Sequence, residues 1–321
     1  MQELDNKVIV VFSFSEKSLT PKVIAEIIEK GIGFEAKYVN TDIKKVRSGN
    51  CNILKRLDEL REAEDCFSFE LLQKKDEDCP SLFIHKRTTY DLFRMSFHYD
   101  KLPDDSFFDS LSNINGFNFG YIEDYEFNYW QNAENLSCYE LRNLSHDHLP
   151  KKSNGLPFPV ETTIIDITSN PCRNIKYPGM EFSISPLMWV NKSYIEIACP
   201  GLLQNENLFL CERIISDNVS CFRLLESLKP NGTELNKVSE LANQIDLNSM
   251  GSKGKELIRK APVDAVYEFN HLNIDGEKCR EQLVWLDTDD KPINKSKAFR
   301  KLVNVFNSQG KRINAYFEQK G

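Results

Sequence analysis

The sequence predicts an α+β fold: two mixed or antiparallel sheets with helices packed on them, joined by a proline-rich crossing. Three observations lead there. The element order read from residues 8–122 is β-α-α-β-β-β-α-β, which suits helices laid against a mostly antiparallel sheet. Strand and helix signals resume after residue 190 and close on a hairpin signal. Between them, six of the thirteen prolines fall from Pro150 to Pro186, a density that forbids long regular structure. The expected units are an acidic α+β domain at 1–149, an ordered crossing at 150–190 and a second α+β domain at 191–321.

Val8–Phe14 is β-branched and aromatic, and reads as a buried strand. The helix behind it is clearly punctuated. Thr20 is placed to cap it, Pro21 suits its first turn, and Gly31 can end it in a left-handed conformation. Val23, Ile24, Ile27 and Ile28 form its apolar stripe. Ile53–Glu64 reads as a second helix with Ile53, Leu54, Leu57 and Leu60 inward, and with surface pairs Lys55–Glu59 and Asp58–Arg61. Cys66–Leu71, Leu82–His85 and Tyr90–Tyr99 read as strands, Phe107–Leu111 as a short helix and Phe117–Ile122 as a returning strand. Inside the crossing, Asn154-Gly155 is a turn pair and Thr162–Ile167 alternates as one strand. Ile164, Ile165, Ile167, Met188 and Trp189 need burial, so the crossing is expected to be ordered rather than a loose linker.

After residue 190, Tyr194–Cys199, Leu208–Ile215 and Cys221–Leu225 read as strands. Pro230-Asn231-Gly232 makes a turn, and Thr233 is the expected cap of a helix with Leu235, Val238, Leu241, Ala242 and Ile245 on one face. Lys255–Lys260 continues helical. Val263–Leu272 and Cys279–Asp287 are expected to pair around Asp275-Gly276. A helix at Lys295–Ser308, stopped by Gly310, and a strand at Arg312–Glu318 complete the reading.

A chain of 321 residues, 40% apolar and 28% charged, has ample material for a core. Its charge is uneven. Residues 1–150 carry 18 Lys and Arg against 27 Asp and Glu, a net −9, while the remainder is net +2. An acidic half disfavours nucleic acid and favours basic partners. The nine cysteines have irregular spacing and no CxxC, which argues against a disulfide framework or a zinc ribbon and for reduced thiols. Val8–Phe12 is too short for a signal core or a membrane span. A cytoplasmic location without membrane contact is expected.

The chemistry-bearing clusters are few. Between Tyr121 and His148 lie six carboxylates and one base, Arg142, interleaved with aromatics. Aromatics supply contact area at low entropic cost and carboxylates recognise Lys and Arg. Glu123, Asp124, Tyr125, Glu126, Tyr129 and Trp130 are therefore the candidate partner-binding residues, unless alternate aromatics are core and the acids only face water. His146 and His148, two apart on an extended segment, would point the same way and suit a shared metal with Asp124 or Glu126. That is the basis of an alternative reading as a metal-assisted hydrolase. A scaffold or regulatory subunit is a third.

Met250–Glu256 fails the phosphate-loop pattern: two residues separate its glycines and Glu256 follows the lysine. There is no GxGxxG, GxSxG or HExxH, so no cofactor and no catalytic residue is expected. Cys138, eight residues from His146, lacks any sign of an activated thiol. Lys295, Lys297, Arg300 and Lys301 read as a solvated helix face.

The run YIEDYEFNYWQ, followed by HLP…NGLPFP…IDITSNPCR…G…E…MW, resembles bacterial proteins of unassigned chemistry encoded beside polymorphic or contact-delivered toxins and taken as their immunity partners. The resemblance covers residues 115–190. The family pattern has Gly-Arg after its Asn-Pro and an aromatic pair after its Met-Trp, where this chain has Pro171-Cys172-Arg173 and Met188-Trp189-Val190. It implies a protein that works by binding a toxin and covering its active site, with no catalytic residue. Joined to the acidic half, it implies a basic protein toxin as partner.

Overall fold

The computed structural model describes residues 6–43, 46, 48–63, 68–74, 79–87, 89–155, 161–260, 266–274, 277–293, 297–306 and 312–319. Two compact units emerge, Met1–Lys255 and Glu256–Gly321. In the first, β1 (Lys7–Ser15) leads into α1 (Pro21–Glu29), β2 (Tyr38–Thr41) and β3 (Gly49–Asn50). A 3-10 turn, Ile53–Arg56, runs into α2 (Leu57–Arg61). Then come β4 (Ser68–Leu72), β5 (Ser81–Lys86), β6 (Tyr90–His98), α3 (Asp105–Ser112) and β7 (Phe117–Asp124). A lobe follows, built from α4 (Tyr125–Asn132), α5 (Leu136–Glu140), β8 (Lys151–Ser153) and β9 (Thr163–Ile165). The chain re-enters through the hairpin of β10 (Ile175–Tyr177) and β11 (Met180–Phe182), then β12 (Leu187–Asn191), α6 (Lys192–Ala198) and α7 (Pro200–Gln204). β13 (Cys211–Ser216), β14 (Val219–Arg223) and α8 (Gly232–Gln244) follow, and α9 (Leu247–Lys260) runs across the boundary between the units. The second unit is an antiparallel meander of β15 (Val266–Ile274), β16 (Glu277–Leu286), β17 (Arg300–Phe306) and β18 (Arg312–Gln319).

The fold is α+β, as the element pattern predicts, but its division differs. A ten-stranded antiparallel sheet runs β13-β14-β12-β7-β1-β6-β5-β4-β2-β3. Because β12 lies directly beside β7, the boundaries expected at 149/150 and 190/191 fall inside one sheet. The proline-rich stretch is not a joint between halves. It carries the β8–β9 and β10–β11 hairpins and then feeds a strand back into the sheet.

Both sheet faces are covered. Val8, Val10, Phe12 and Phe14 of β1 face α1 and α3, while Ile9 and Val11 face β11, α6 and α8. Burial on both sides explains the unbroken apolar run of β1. The covering helix α1 has the expected ends: Thr20 Oγ1 accepts from the Val23 N–H at 3.3 Å, and Gly31 sits at φ +94°.

At the centre of the first face, Phe12, Gly120 and Trp189 stand in register across β1, β7 and β12. The ring centroids of Phe12 and Trp189 are 5.5 Å apart. A Cβ on Gly120 would lie 2.8 Å from Phe12 Cδ1, so only glycine lets the ring lie flat on the β7 backbone. Gly120→Ala is expected to cost about 1–3 kcal/mol through overpacking, measured as a lowered urea midpoint at unchanged slope.

Several elements depart from the reading. Tyr194–Cys199 is mostly helix rather than strand. Asn191 Oδ1 accepts the Tyr194 N–H at 3.2 Å, and Ile195, Cys199 and Leu202 recur inward at spacings of four and three. Ile53–Glu64 is broken: Asn52 Oδ1 caps the tight 3-10 turn through the Leu54 N–H, and Leu54 is exposed. Arg56, not Lys55, takes Glu59, at 2.7 Å; the Asp58–Arg61 pair forms at 2.9 Å. The cap of α8 is Asn231, in a reciprocal box with Glu234, not Thr233. Residues 300–306 are strand, not helix, with Val303 and Val305 alternating inward. The basic stripe therefore dissolves, Arg300 pairing with Asp290 and Lys301 with Glu318. Lys295 and the turn Asp275-Gly276 lie outside the described residues. Gly251 and Gly254 sit inside α9, where a Cβ on Gly254 would meet the Lys176 carbonyl at 2.6 Å. Close packing on β10 explains that glycine.

Candidate functional site

The acidic aromatic run is cut in two where β7 ends and α4 begins. All eight residues of β7 are buried, and the strand runs through Glu123 and Asp124 before the chain turns. Asp124 is 3% exposed and serves structure: Oδ1 accepts the Phe127 N–H at 2.7 Å, capping α4, and Oδ2 accepts the Tyr99 hydroxyl at 2.9 Å. Glu123 is fully buried. Its Oε1 accepts from Asn128 Nδ2 at 2.5 Å, while Oε2 has no hydrogen-bond partner among the described residues. Asn128 also reaches Asn174 Oδ1 at 3.3 Å, and Asn174 Nδ2 donates to Glu181 Oε1 at 3.2 Å. Burial pushes the Glu123 carboxyl up to about 8, against the opposing pull of the Asn128 hydrogen bond and Arg94. Glu126 is paired with Lys229 Nζ at 2.6 Å. These three acids do not make an open negative patch, because the strand carries two of them into the interior. Reversing Glu123 or Asp124 to Lys would bury a cation and test folding, not binding.

The aromatic half of the run does reach a surface. Tyr125 packs against the second core face, and Tyr129 and Trp130 join a small cluster with Ala133, Tyr139 and Ile165. Trp130 lies 5.0 Å from the Tyr129 ring and 4.9 Å from that of Tyr139. The Arg142 guanidinium sits 4.6 Å over Tyr129 and 5.6 Å from Trp130, and donates to the Tyr129 hydroxyl at 3.1 Å. Cation–π contact holds these rings in place.

Beside them opens a cleft of about 570 Å³. Its lining includes Trp130, Tyr139, Leu144, His148, Ile165 and Asp166. Asp166 accepts from Lys152 Nζ at 2.9 Å and Thr168 Oγ1 at 2.8 Å. Those hydrogen bonds bring its carboxyl down to about 2. Leu144 is 47% exposed and Leu141 71%, and Glu134, Glu140 and Asp147 are exposed on the same lobe. Lys152 stands 3.9 Å from Glu134 and Lys151 3.9 Å from Asp147, so the border is mixed in charge. An apolar floor with a polar border is the make-up of a protein-contact patch.

The two histidines part company here. His146 is half-buried with its ring 6.1 Å from Tyr139, and its Nε2 lies 3.6 Å from Glu140 Oε1. His148 is exposed and lines the cleft. Among the described residues no group of three or more His, Cys, Asp or Glu is placed to hold a metal ion. Cys51, Cys79, Cys138, Cys172, Cys199, Cys211 and Cys221 are free thiols. Burial raises Cys199 to about 11 and Cys221 to about 12, so both act as small apolar side chains. Reading the sequence missed Leu144, Ile165 and Asp166. The only signal for the last two was the strand pattern inside the proline-rich stretch.

The fold and this lobe define an α+β protein with an exposed aromatic cleft. None of the described helices is long and apolar enough to cross a membrane. No protein-family model matches the chain, and no curated protein matches its sequence. Among solved structures the fold is similar to that of the Pseudomonas aeruginosa T6SS protein PA0821. The TM-score is 0.43 and the identity 10%, over 74% of this chain and 72% of that one.

Proposed function

We propose that this chain is a bacterial immunity protein that binds a basic protein toxin in the cytoplasm and occludes its active site. The contact is made by the lobe of α4, α5, β8 and β9. One observation carries the reading: a cleft floored by Trp130 and Tyr139 opens to solvent beside exposed Leu144, on a lobe edged by Glu134, Glu140 and Asp147. Rigid aromatics beside an apolar opening supply most of the energy in protein contacts, and surrounding charge sets approach rate and register. The segment resembling toxin-neighbour proteins, residues 115–190, contains the whole lobe. Tyr129 serves indirectly, locking Trp130 through Arg142, while Glu123 and Asp124 belong to the support beneath α4.

The test is capture of the polypeptide encoded by the adjacent reading frame, together with growth protection on co-expression. Trp130→Ala and Leu144→Arg are each expected to weaken capture by at least about thirtyfold, the scale of an anchor residue. Glu134, Glu140 and Asp147 changed together to Lys should slow association mainly at low salt. Undiminished capture and protection by folded Trp130→Ala and Leu144→Arg variants would overturn the site.

A further inference from the structure

We propose that the cleft of the lobe takes one arginine side chain of the partner, laid on the floor of Trp130 and Tyr139 with its guanidinium donating to Asp166. The inference rests on the reading of this lobe as the contact site and names what enters it. Among the described residues that line the cleft, Asp166 is the one carboxylate, and no lysine or arginine is among them. Its two oxygens are used unequally. Oδ1 accepts from Lys152 Nζ at 2.9 Å, from the Thr168 N–H at 3.0 Å and from Thr168 Oγ1 at 2.8 Å. Among the described residues no donor reaches Oδ2. Three donors on one oxygen fix the carboxylate, and the Asp166 N–H, donated to the Pro150 carbonyl at 2.8 Å, fixes the backbone beneath it. The same hydrogen bonds hold the group in its ionised form, so the oxygen left over carries charge.

The surroundings identify the occupant. The cations of the lobe leave Oδ2 free. Lys152 also stands 3.9 Å from Glu134, one ammonium serving two acids. Arg173 is buried and gives its donors to the Asn170 carbonyl at 2.8 Å and Asn248 Oδ1 at 2.7 Å. Arg142 lies over Tyr129, to whose hydroxyl it donates. Asn170, also in the lining, spends its Nδ2 on the Gln131 carbonyl at 2.9 Å, which leaves its Oδ1 as an acceptor. A charged carboxylate oxygen and an amide oxygen on the wall of an aromatic cleft match a side chain that is flat, cationic and rich in donors. Guanidinium holds five N–H groups in one plane and stacks on aromatic rings, whereas an ammonium is a compact, strongly hydrated charge. An acidic side chain would meet Asp166 as a like charge. An apolar one would cover Oδ2 without giving it a donor.

The probe is the peptide acetyl-Gly-Arg-Gly-amide, titrated into the full chain while the indole N–H resonance of Trp130, the one lost in Trp130→Phe, is followed. The peptide should bind at least about tenfold more tightly than its citrulline analogue, which keeps the shape without the charge. Asp166→Asn keeps an acceptor for Lys152 and Thr168 and should erase that preference. Lys152→Met should enlarge it, because the lysine competes for the carboxylate; a merely structural lysine would give a loss instead. That gain reads the site even where Asp166→Asn does not fold. Arginine and citrulline peptides that bind alike, or leave Trp130 unmoved, overturn the inference whether or not a toxin is captured. In capture of the polypeptide encoded by the adjacent reading frame, folded Asp166→Asn should be at least about tenfold weaker than wild type. Equal capture by the two overturns the inference and leaves the immunity reading standing. A wild-type chain that captures nothing yet prefers the arginine peptide by that margin supports the cleft chemistry and removes the immunity reading.

Discussion

Glu123→Gln is expected to flatten the fall in stability that the wild-type protein shows between about pH 4.5 and 8. The Glu123 carboxyl is enclosed, with one oxygen held by Asn128 and the other without a partner among the described residues, and burial lifts it from an ordinary 4.5 to about 8. The sign follows from proton linkage. Below the unfolded value both states hold the proton and the buried acid costs nothing extra. Above it the unfolded chain releases the proton while the folded chain keeps it, so stability declines by about 1.4 kcal/mol per pH unit until the folded group also ionises. The whole window amounts to on the order of 4–5 kcal/mol, and glutamine has no proton to lose. Urea unfolding at pH 5 and pH 8 should show a large drop in midpoint for the wild type and a much smaller one for Glu123→Gln. Other titrating groups cancel in the difference between the two proteins, so equal drops would mean that Glu123 is ionised in the folded state.

Trp189→Ala is expected to remove about 3–5 kcal/mol, the range for deleting a buried aromatic. Trp189 is fully buried between Phe12 and Phe108, with ring centroids at 5.5 and 5.6 Å. It opposes bare backbone at Gly120, so its removal leaves a hollow beside that strand. Its indole N–H also donates to Asp109 Oδ1 at 2.9 Å. Trp189→Phe keeps most of the volume and loses that bond, and should cost far less. The control distinguishes packing from polarity: if both variants fall equally in urea, the Asp109 hydrogen bond and not the ring holds this corner. Trp189→Ala with Gly120→Ala should be less damaging than the sum of the two, because they act on one cavity from opposite sides.

Elements whose signals are local were legible. Thr20, Pro21 and Gly31 bound α1 within a residue or two, and the apolar run of β1 announces burial without any partner being known. Elements decided by distant neighbours were not. Residues 300–306 can show a helical stripe or a strand alternation, and only pairing with β16 and β18 selects the second. Glu123 and Asp124 look like surface acids beside their aromatic neighbours. Nothing in the string tells that Asn128 of α4 will meet the one inside the protein and that the Tyr99 hydroxyl, 25 residues earlier, will meet the other. The cleft divides the same way. Trp130 and His148 stood out by composition, whereas Ile165 and Asp166 reach it from another hairpin and carry no mark of their destination.

The placement of β12 also bears on how the chain is made. During synthesis β7 emerges about 60 residues ahead of the strand that will lie against it, which at ordinary elongation rates is an interval on the order of 3–12 s. Throughout that interval an eight-residue strand, every residue of which is buried in the finished protein, has one side open and a bare glycine at its middle. Nascent chains in that state are poised to join one another. Crowded ribosomes or an arrest near residue 150 are therefore where this protein is most exposed to clumping, and a holding chaperone has its clearest task.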